Sequence, residues 1–202
     1  MRVWRGSRLC KDMATTRSRP ASLLLVLAVL LGATVLLVEG ADSAMALTLT
    51  SSAFKAGGGI PSSYTCEGEN LSPPLAWDGV PAGTKSLALV IDDPDAPDPS
   101  APKRVWVHWI LYNLPANASG LAENADKAGL PAGAARGVND AKKTSYGGPC
   151  PPIGRHRYFH KLYALDTMLD LAQPTKAELE AAMQGHVLAQ AELIGTYQKG
   201  DR

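Results

Sequence analysis

The sequence predicts a mainly β, turn-rich domain with one late helix, preceded by a segment of different character. Three observations carry this. Four stretches read as strands, the 202 residues include 15 prolines and 19 glycines, and only one stretch has helical spacing with start signals. With 46% apolar and 19% charged residues the chain has the makings of a packed core rather than of a disordered segment.

The elements follow in order. Leu47–Ser51 alternates apolar and polar residues, the period of a half-buried strand. Ser86–Ile91 is short and almost wholly apolar, bounded by Lys85 and an acidic turn, which predicts a central strand buried on both faces. Val105–Leu114 is rich in Val, Trp, Ile and Tyr, with Pro115 closing it. Arg157–Asp166 carries two interleaved rows, Tyr158/His160/Leu162/Ala164 and Phe159/Lys161/Tyr163/Leu165. The helix starts at Thr175, which forms a capping-box pattern with Glu178, and Leu179, Met183 and Val187 fall on one face. A last strand is expected around Glu192–Tyr197.

The first 46 residues stand apart. Arg2, Arg5, Arg8, Lys11, Arg17 and Arg19 precede Ala21 to Val38, which carries no charge, and Ala44-Met45-Ala46 follows. A basic region, an apolar region and a small-x-small exit together read as a secretory leader cut after Ala46. The apolar stretch is also nearly long enough to span a bilayer as a retained anchor, or to form a buried core helix. Export would make the protein periplasmic or secreted, touching the membrane only through an uncleaved leader.

Removing residues 1–46 leaves 14 basic and 16 acidic side chains, a net charge of −2 where the whole chain has +1. Neither balance offers the basic excess that nucleic acid would require. Beyond the leader two cysteines remain, Cys66 and Cys150. In an oxidising compartment they are open to a disulfide closing a loop of about 84 residues, worth roughly 3–5 kcal/mol on a chain-entropy basis. Two buried free thiols are the alternative; the rigid Pro/Gly-rich flanks favour the bridge.

Three segments have the chemistry of a site. Asp92-Asp93-Pro94-Asp95 places three carboxylates in four positions after the apolar run, with prolines to fix their direction. Trp106-Val107-His108-Trp109 puts an imidazole inside a hydrophobic strand, where it needs a partner. Tyr146 to Tyr158 is a Gly/Pro-rich loop delivering His156 to the start of the next strand, with backbone N–H groups and positive charge suited to an anion. A solvated acidic loop, a satisfied core histidine and an ordinary turn are the bland readings of the three. His156 and His160 are four apart on a strand, and no H-E-x-x-H or C-x-x-C occurs, so no metal is expected. There is no G-x-S-x-G elbow, no P-loop and no dinucleotide fingerprint, so no cofactor is expected either.

Taken together, Cys66-Glu67-Gly68-Glu69-Asn70-Leu71-Ser72-Pro73-Pro74-Leu75-Ala76-Trp77, Asp93-Pro94-Asp95-Ala96-Pro97, His108-Trp109, Gly148-Pro149-Cys150-Pro151-Pro152 and His156-Arg157-Tyr158 resemble the phosphatidylethanolamine-binding protein family. The likeness is to its bacterial and archaeal Raf-kinase-inhibitor-like branch, of YbhB/YbcL type, and runs from about Leu47 to Lys199. It implies an antiparallel β-sandwich with a large central sheet, a smaller sheet and peripheral helices. It also implies a small pocket for phosphate or the phosphatidylethanolamine headgroup, lined by Asp93, Pro94, Asp95, His108, Gly148, Pro151, Pro152, His156 and Tyr158. In that pocket His108 and His156 are expected to hydrogen-bond the anion, with Asp93 and Asp95 orienting them or meeting an ammonium group. The function implied is non-catalytic binding of a small anionic or phosphorylated ligand. An inhibitor of a kinase- or protease-like partner is the alternative, and a hydrolase using the His/Asp pocket a further one. The kinase-inhibitor label does not carry over to an exported protein, and the long C-terminal segment bordering the pocket in eukaryotic members is not recognisable here.

Overall fold

The structure is a computed structural model describing residues 46–201, which fall within one compact unit. The leader, with its apolar stretch at 21–38, lies outside the described residues. Two antiparallel sheets and a helix form three layers. The elements are β1 (Thr48–Thr50), β2 (Leu75–Asp78), β3 (Ser86–Asp93), β4 (Trp106–Pro115), β5 (Gly120–Leu121), α1 (Ala125–Ala128), β6 (Ala135–Arg136), β7 (His156–Leu165), α2 (Lys176–Met183) and β8 (Val187–Tyr197). The small sheet has the order β1-β2-β5 and the large one β6-β4-β3-β7-β8.

The apolar run of β3 makes it the central strand, and all eight of its residues are buried. Its side chains alternate between two cores. Leu87, Leu89 and Ile91 join Trp77, Trp109, Tyr158, Leu162 and Tyr197 between the sheets. Ala88 and Val90 join Ile110, Tyr112, Leu165, Leu179 and Met183 under α2. The two rows expected in β7 are real: Tyr158, His160, Leu162 and Ala164 are buried, while Phe159, Lys161 and Tyr163 are half-buried on the α2 side.

The α2 helix begins as the capping box predicts. Glu178 N–H donates to the Thr175 hydroxyl, and Thr175 N–H to the Glu178 carboxylate at 2.8 Å. Its end differs from expectation. Gly185 takes a left-handed φ of +81° and turns the chain, so Val187 starts β8 opposite Leu165 instead of extending the helical face. Pro115 does not close β4 from outside; it is the last strand residue and faces Ser86. Cys66 and Cys150 are disulfide-bonded, with Cα atoms 5.4 Å apart and 84 residues between them.

Candidate functional site

The register of β4 against β3 shifts by one residue where the site begins. Ile91 faces Trp109 but Asp92 faces Val107, so His108 is the extra residue of a bulge. Strict alternation would place His108 with Ile110 and Tyr112 on the α2 side. The bulge turns it to the other face, where its ring meets Tyr158 edge-on at 5.2 Å.

Past that bulge the three carboxylates diverge. Asp92, fully buried, takes Lys161 on both oxygens at 2.9 Å and Lys176 at 2.6 Å on the α2 side. Asp93 accepts from His156 Nδ1 at 2.7 Å and from the Asp95 backbone N–H at 2.8 Å. Asp95 is clasped by Arg157, whose Nε, Nη2 and backbone N–H all donate to it. The Arg157 guanidinium holds that carboxyl below the usual carboxylate range, against burial.

The Gly/Pro-rich loop is tied on from several sides. His108 Nδ1 lies 2.6 Å from the Gly147 carbonyl, and Gly147 N–H returns to the His108 carbonyl at 3.1 Å. Asn139 Nδ2 donates to the His108 and Ser145 carbonyls. Gly148 N–H donates to Asn70 Oδ1 at 2.7 Å, and a Cβ on Gly148 would sit 2.4 Å from the Tyr64 carbonyl, so only glycine fits there. The disulfide and the Cys66 N–H to Pro149 carbonyl bond fasten the far edge.

These elements enclose a cavity of about 330 Å³, a size suited to a small ligand. Of the residues expected on its wall, Asp93, His108, Gly148, Pro151, Pro152, His156 and Tyr158 are brought together there. Pro94 and Asp95 are not: the turn carries Pro94 past the cavity, and Arg157 takes the Asp95 carboxylate. Trp106 and Gly147, from the segments singled out in the sequence, line it too, and Arg104 and Asn139 line it without having been anticipated. Arg104 stacks its guanidinium over Trp106 at 4.2 Å, bringing a cation to the wall.

The two histidines differ. His156 is fully buried, with Nδ1 on Asp93 and Nε2 3.0 Å from the Ile153 carbonyl. Both nitrogens face acceptors, so this ring braces the loop and has no nitrogen left for an anion. His108 uses only Nδ1. Burial holds its pKa below the ordinary histidine value, outweighing the Gly147 bond and the charges of Asp93, Asp92 and Asp140. The two rings therefore divide the roles expected of both: Asp93 engages His156, and burial disfavours the charged form of His108. His108 Nε2 and the Tyr158 hydroxyl are both buried without a partner. Burial also raises the Tyr158 pKa, with Asp93 adding to it, so the phenol keeps its proton. Among the described residues, no group of three or more His, Cys, Asp or Glu side chains is placed to hold a metal.

The profile described as phosphatidylethanolamine-binding protein matches residues 50–198, the whole of this site included. The chain belongs to that family. A UPF0098 protein of Methanothermobacter thermautotrophicus is 54% identical over 156 residues, covering 76% of this chain and all of that one. Among solved structures of the family, the phosphatidylethanolamine-binding protein homolog CT736 of Chlamydia trachomatis is 45% identical, with a TM-score of 0.70. That likeness covers 76% of this chain and 98% of the other. Escherichia coli YbcL, described as a new member of the mammalian PEBP family, is 35% identical with a TM-score of 0.69, over 75% and 98% of the two chains. The PEBP fold expected from the motifs is thus the fold observed, and the chain has the architecture of a family of binding proteins.

Proposed function

We propose that this PEBP-family chain is exported and binds a small anionic or phosphorylated ligand in the cavity beside His108 and Tyr158, without changing it chemically. The supporting observation is that His108 and Tyr158 both line the cavity and that each carries a buried polar atom without a partner. A buried unsatisfied donor or acceptor costs about 1–3 kcal/mol, which a ligand supplying the missing bond would recover. The Arg104 cation adds attraction for an anion, and the backbone-lined Gly/Pro loop leaves room for one.

The test is thermal. Inorganic phosphate or phosphorylethanolamine should raise the unfolding temperature of the purified protein, since a ligand at 100 times its Kd stabilises by about 2.7 kcal/mol. Tyr158→Phe should abolish most of the shift while leaving the unliganded midpoint close to the parent's. Absence of any shift with either compound overturns the reading. The phosphorus NMR spectrum of phosphorylethanolamine should be unchanged after prolonged incubation; release of phosphate would promote the hydrolase alternative. Export rests on the leader pattern and agrees with the Cys66–Cys150 bridge. N-terminal sequencing of the exported protein should begin at Leu47; a start at Met1 in the membrane fraction would establish the anchored form instead.

A further inference from the structure

Cysteine is among the residue types most often buried, yet Cys66 and Cys150 are both exposed although bonded to each other. Their bridge joins two segments of unequal firmness. On the Cys66 side the turn at 62–70 is hydrogen-bonded along its length. Tyr64 N–H donates to the Pro61 carbonyl, Thr65 N–H to Ser62, Gly68 N–H to Thr65 and Leu71 N–H to Ser63. The Tyr64 carbonyl also accepts from the buried Tyr146 hydroxyl at 2.9 Å.

On the other side the chain reads Pro149-Cys150-Pro151-Pro152. Proline has no N–H, so the stretch has a single main-chain donor, that of Cys150. Among the described residues, no hydrogen bond reaches Cys150, Pro151 or Pro152. Ties resume only at the two ends. Before the stretch, Gly148 N–H donates to Asn70 and the Pro149 carbonyl accepts from Cys66 N–H at 3.0 Å. After it, the Ile153 carbonyl lies 3.0 Å from His156 Nε2, followed by Gly154 at a φ of +72°. Between those ends only the disulfide and the burial of Pro151 hold the chain. Cys150, Pro151 and Pro152 are also part of the cavity wall.

We infer that the Cys66–Cys150 bridge is a reducible latch on that wall, opened by thiol–disulfide exchange with a dithiol while the fold persists. One thiolate of the dithiol attacks a sulfur of the bridge. A mixed disulfide forms, the Cys66–Cys150 bond breaks, and its electron pair leaves on the other cysteine, which takes up a proton. The second thiolate of the dithiol then attacks the mixed disulfide, closes its own S–S bond and releases the remaining cysteine as a thiol. The bridge gains two electrons and two protons, and the dithiol is oxidised. The turn at 62–70 stays in place on its own hydrogen bonds, while 150–152 is freed between Gly148 and Gly154 and the wall loosens. The latch acts on the wall whatever the cavity holds, so it stands apart from the anion-binding reading.

Dithiothreitol added to the folded protein without denaturant tests this. Peptide mapping after iodoacetamide should find Cys66 and Cys150 both alkylated, while the circular dichroism of the sheets stays that of the oxidised protein. Acrylamide quenching of tryptophan fluorescence reads the wall, because Trp77 and Trp109 are buried and Trp106 lines the cavity. Quenching should rise on reduction and fall back on reoxidation, and Trp106→Phe should abolish the rise. Cys66→Ser with Cys150→Ser should be quenched as the reduced protein is; should that variant not fold, reduction of the folded parent decides alone. A bridge that yields to dithiothreitol only as urea unfolds the chain, a sheet signal lost on reduction, or quenching that reduction leaves unchanged overturns the latch and makes the bridge a staple of the fold.

Discussion

Replacing Asp92 by Asn tests whether the carboxylate under α2 holds the helix to the sheet. Asp92 is fully buried, and its oxygens receive Lys161 from β7 and Lys176 from the first position of α2. The two ammonium groups converge on one charge, and Lys176 also lies 3.6 Å from Glu180. Burial is the largest influence on the Lys176 pKa and would lower it; the Asp92 bond and charge, together with Glu180, outweigh it and leave the pKa raised. An Asn side chain keeps the size, halves the acceptors and points N–H groups at cations. Breaking a buried ion pair by removing one partner costs about 3–5 kcal/mol. The lysine side chains retain 25% and 20% of their exposure, so they reach some water and the lower end, about 3 kcal/mol, is the better figure. With a urea m-value of about 2 kcal/mol/M, the unfolding midpoint at pH 7 should fall by about 1.5 M. Fluorescence of the buried Trp77 and Trp109 reports the transition. A triple variant, Asp92→Leu with Lys161→Met and Lys176→Met, should recover most of the loss, because apolar replacement of a buried ion cluster is often neutral or stabilising. A shift below about 0.3 M for Asp92→Asn would mean the lysines are already solvated, and would refute the reasoning.

Two further outcomes use the same urea assay. Burial pulls the His160 pKa from 6.5 to about 4, against hydrogen bonds to the Tyr158 and Leu193 carbonyls. The unfolded chain therefore binds a proton that the folded one refuses. Stability present above pH 6.5 should fall by about 3 kcal/mol as pH drops to 4, and His160→Asn should flatten that fall. Thr175→Ala, which removes the exposed cap of α2, should cost about 1 kcal/mol with no change in phosphate binding.

How much of this was legible in the sequence depended on whether local pattern decided the matter. The unbroken apolar run of β3 and the two rows of β7 announced strands because burial on both faces, or on alternate faces, writes directly into residue type. The cap of α2 was legible for the same reason: its partners lie three residues apart. β2 was not, because four residues between Pro74 and Gly79 are too few to establish a period. The first half of β8 escaped because Val187 and Leu188 are both exposed and break the alternation. In the site, the motifs located the right loops but not the division of labour within them. Asp93 and Asp95 look equivalent in sequence, yet one faces His156 and the other Arg157. Arg104 and Asn139 reach the wall through connections between strands, where no periodicity points to them.

The bulge at His108 shows why spacing alone could not find the chemistry. A histidine in a regular β4 would share the face of Ile110 and Tyr112 under α2, and Val107 would take the opposite face. One extra residue in the strand reverses its face and brings it beside Tyr158, while Val107 takes the place on the α2 side. The same shift brings Val107 N–H onto Asp140, and the Gly147 pair and the Asn139 amide bind the His108 backbone. These bonds fix the imidazole before any ligand arrives. The frame around His108 and Tyr158 thus holds two buried polar atoms without partners, a local cost that the surrounding hydrogen bonds keep from relaxing away.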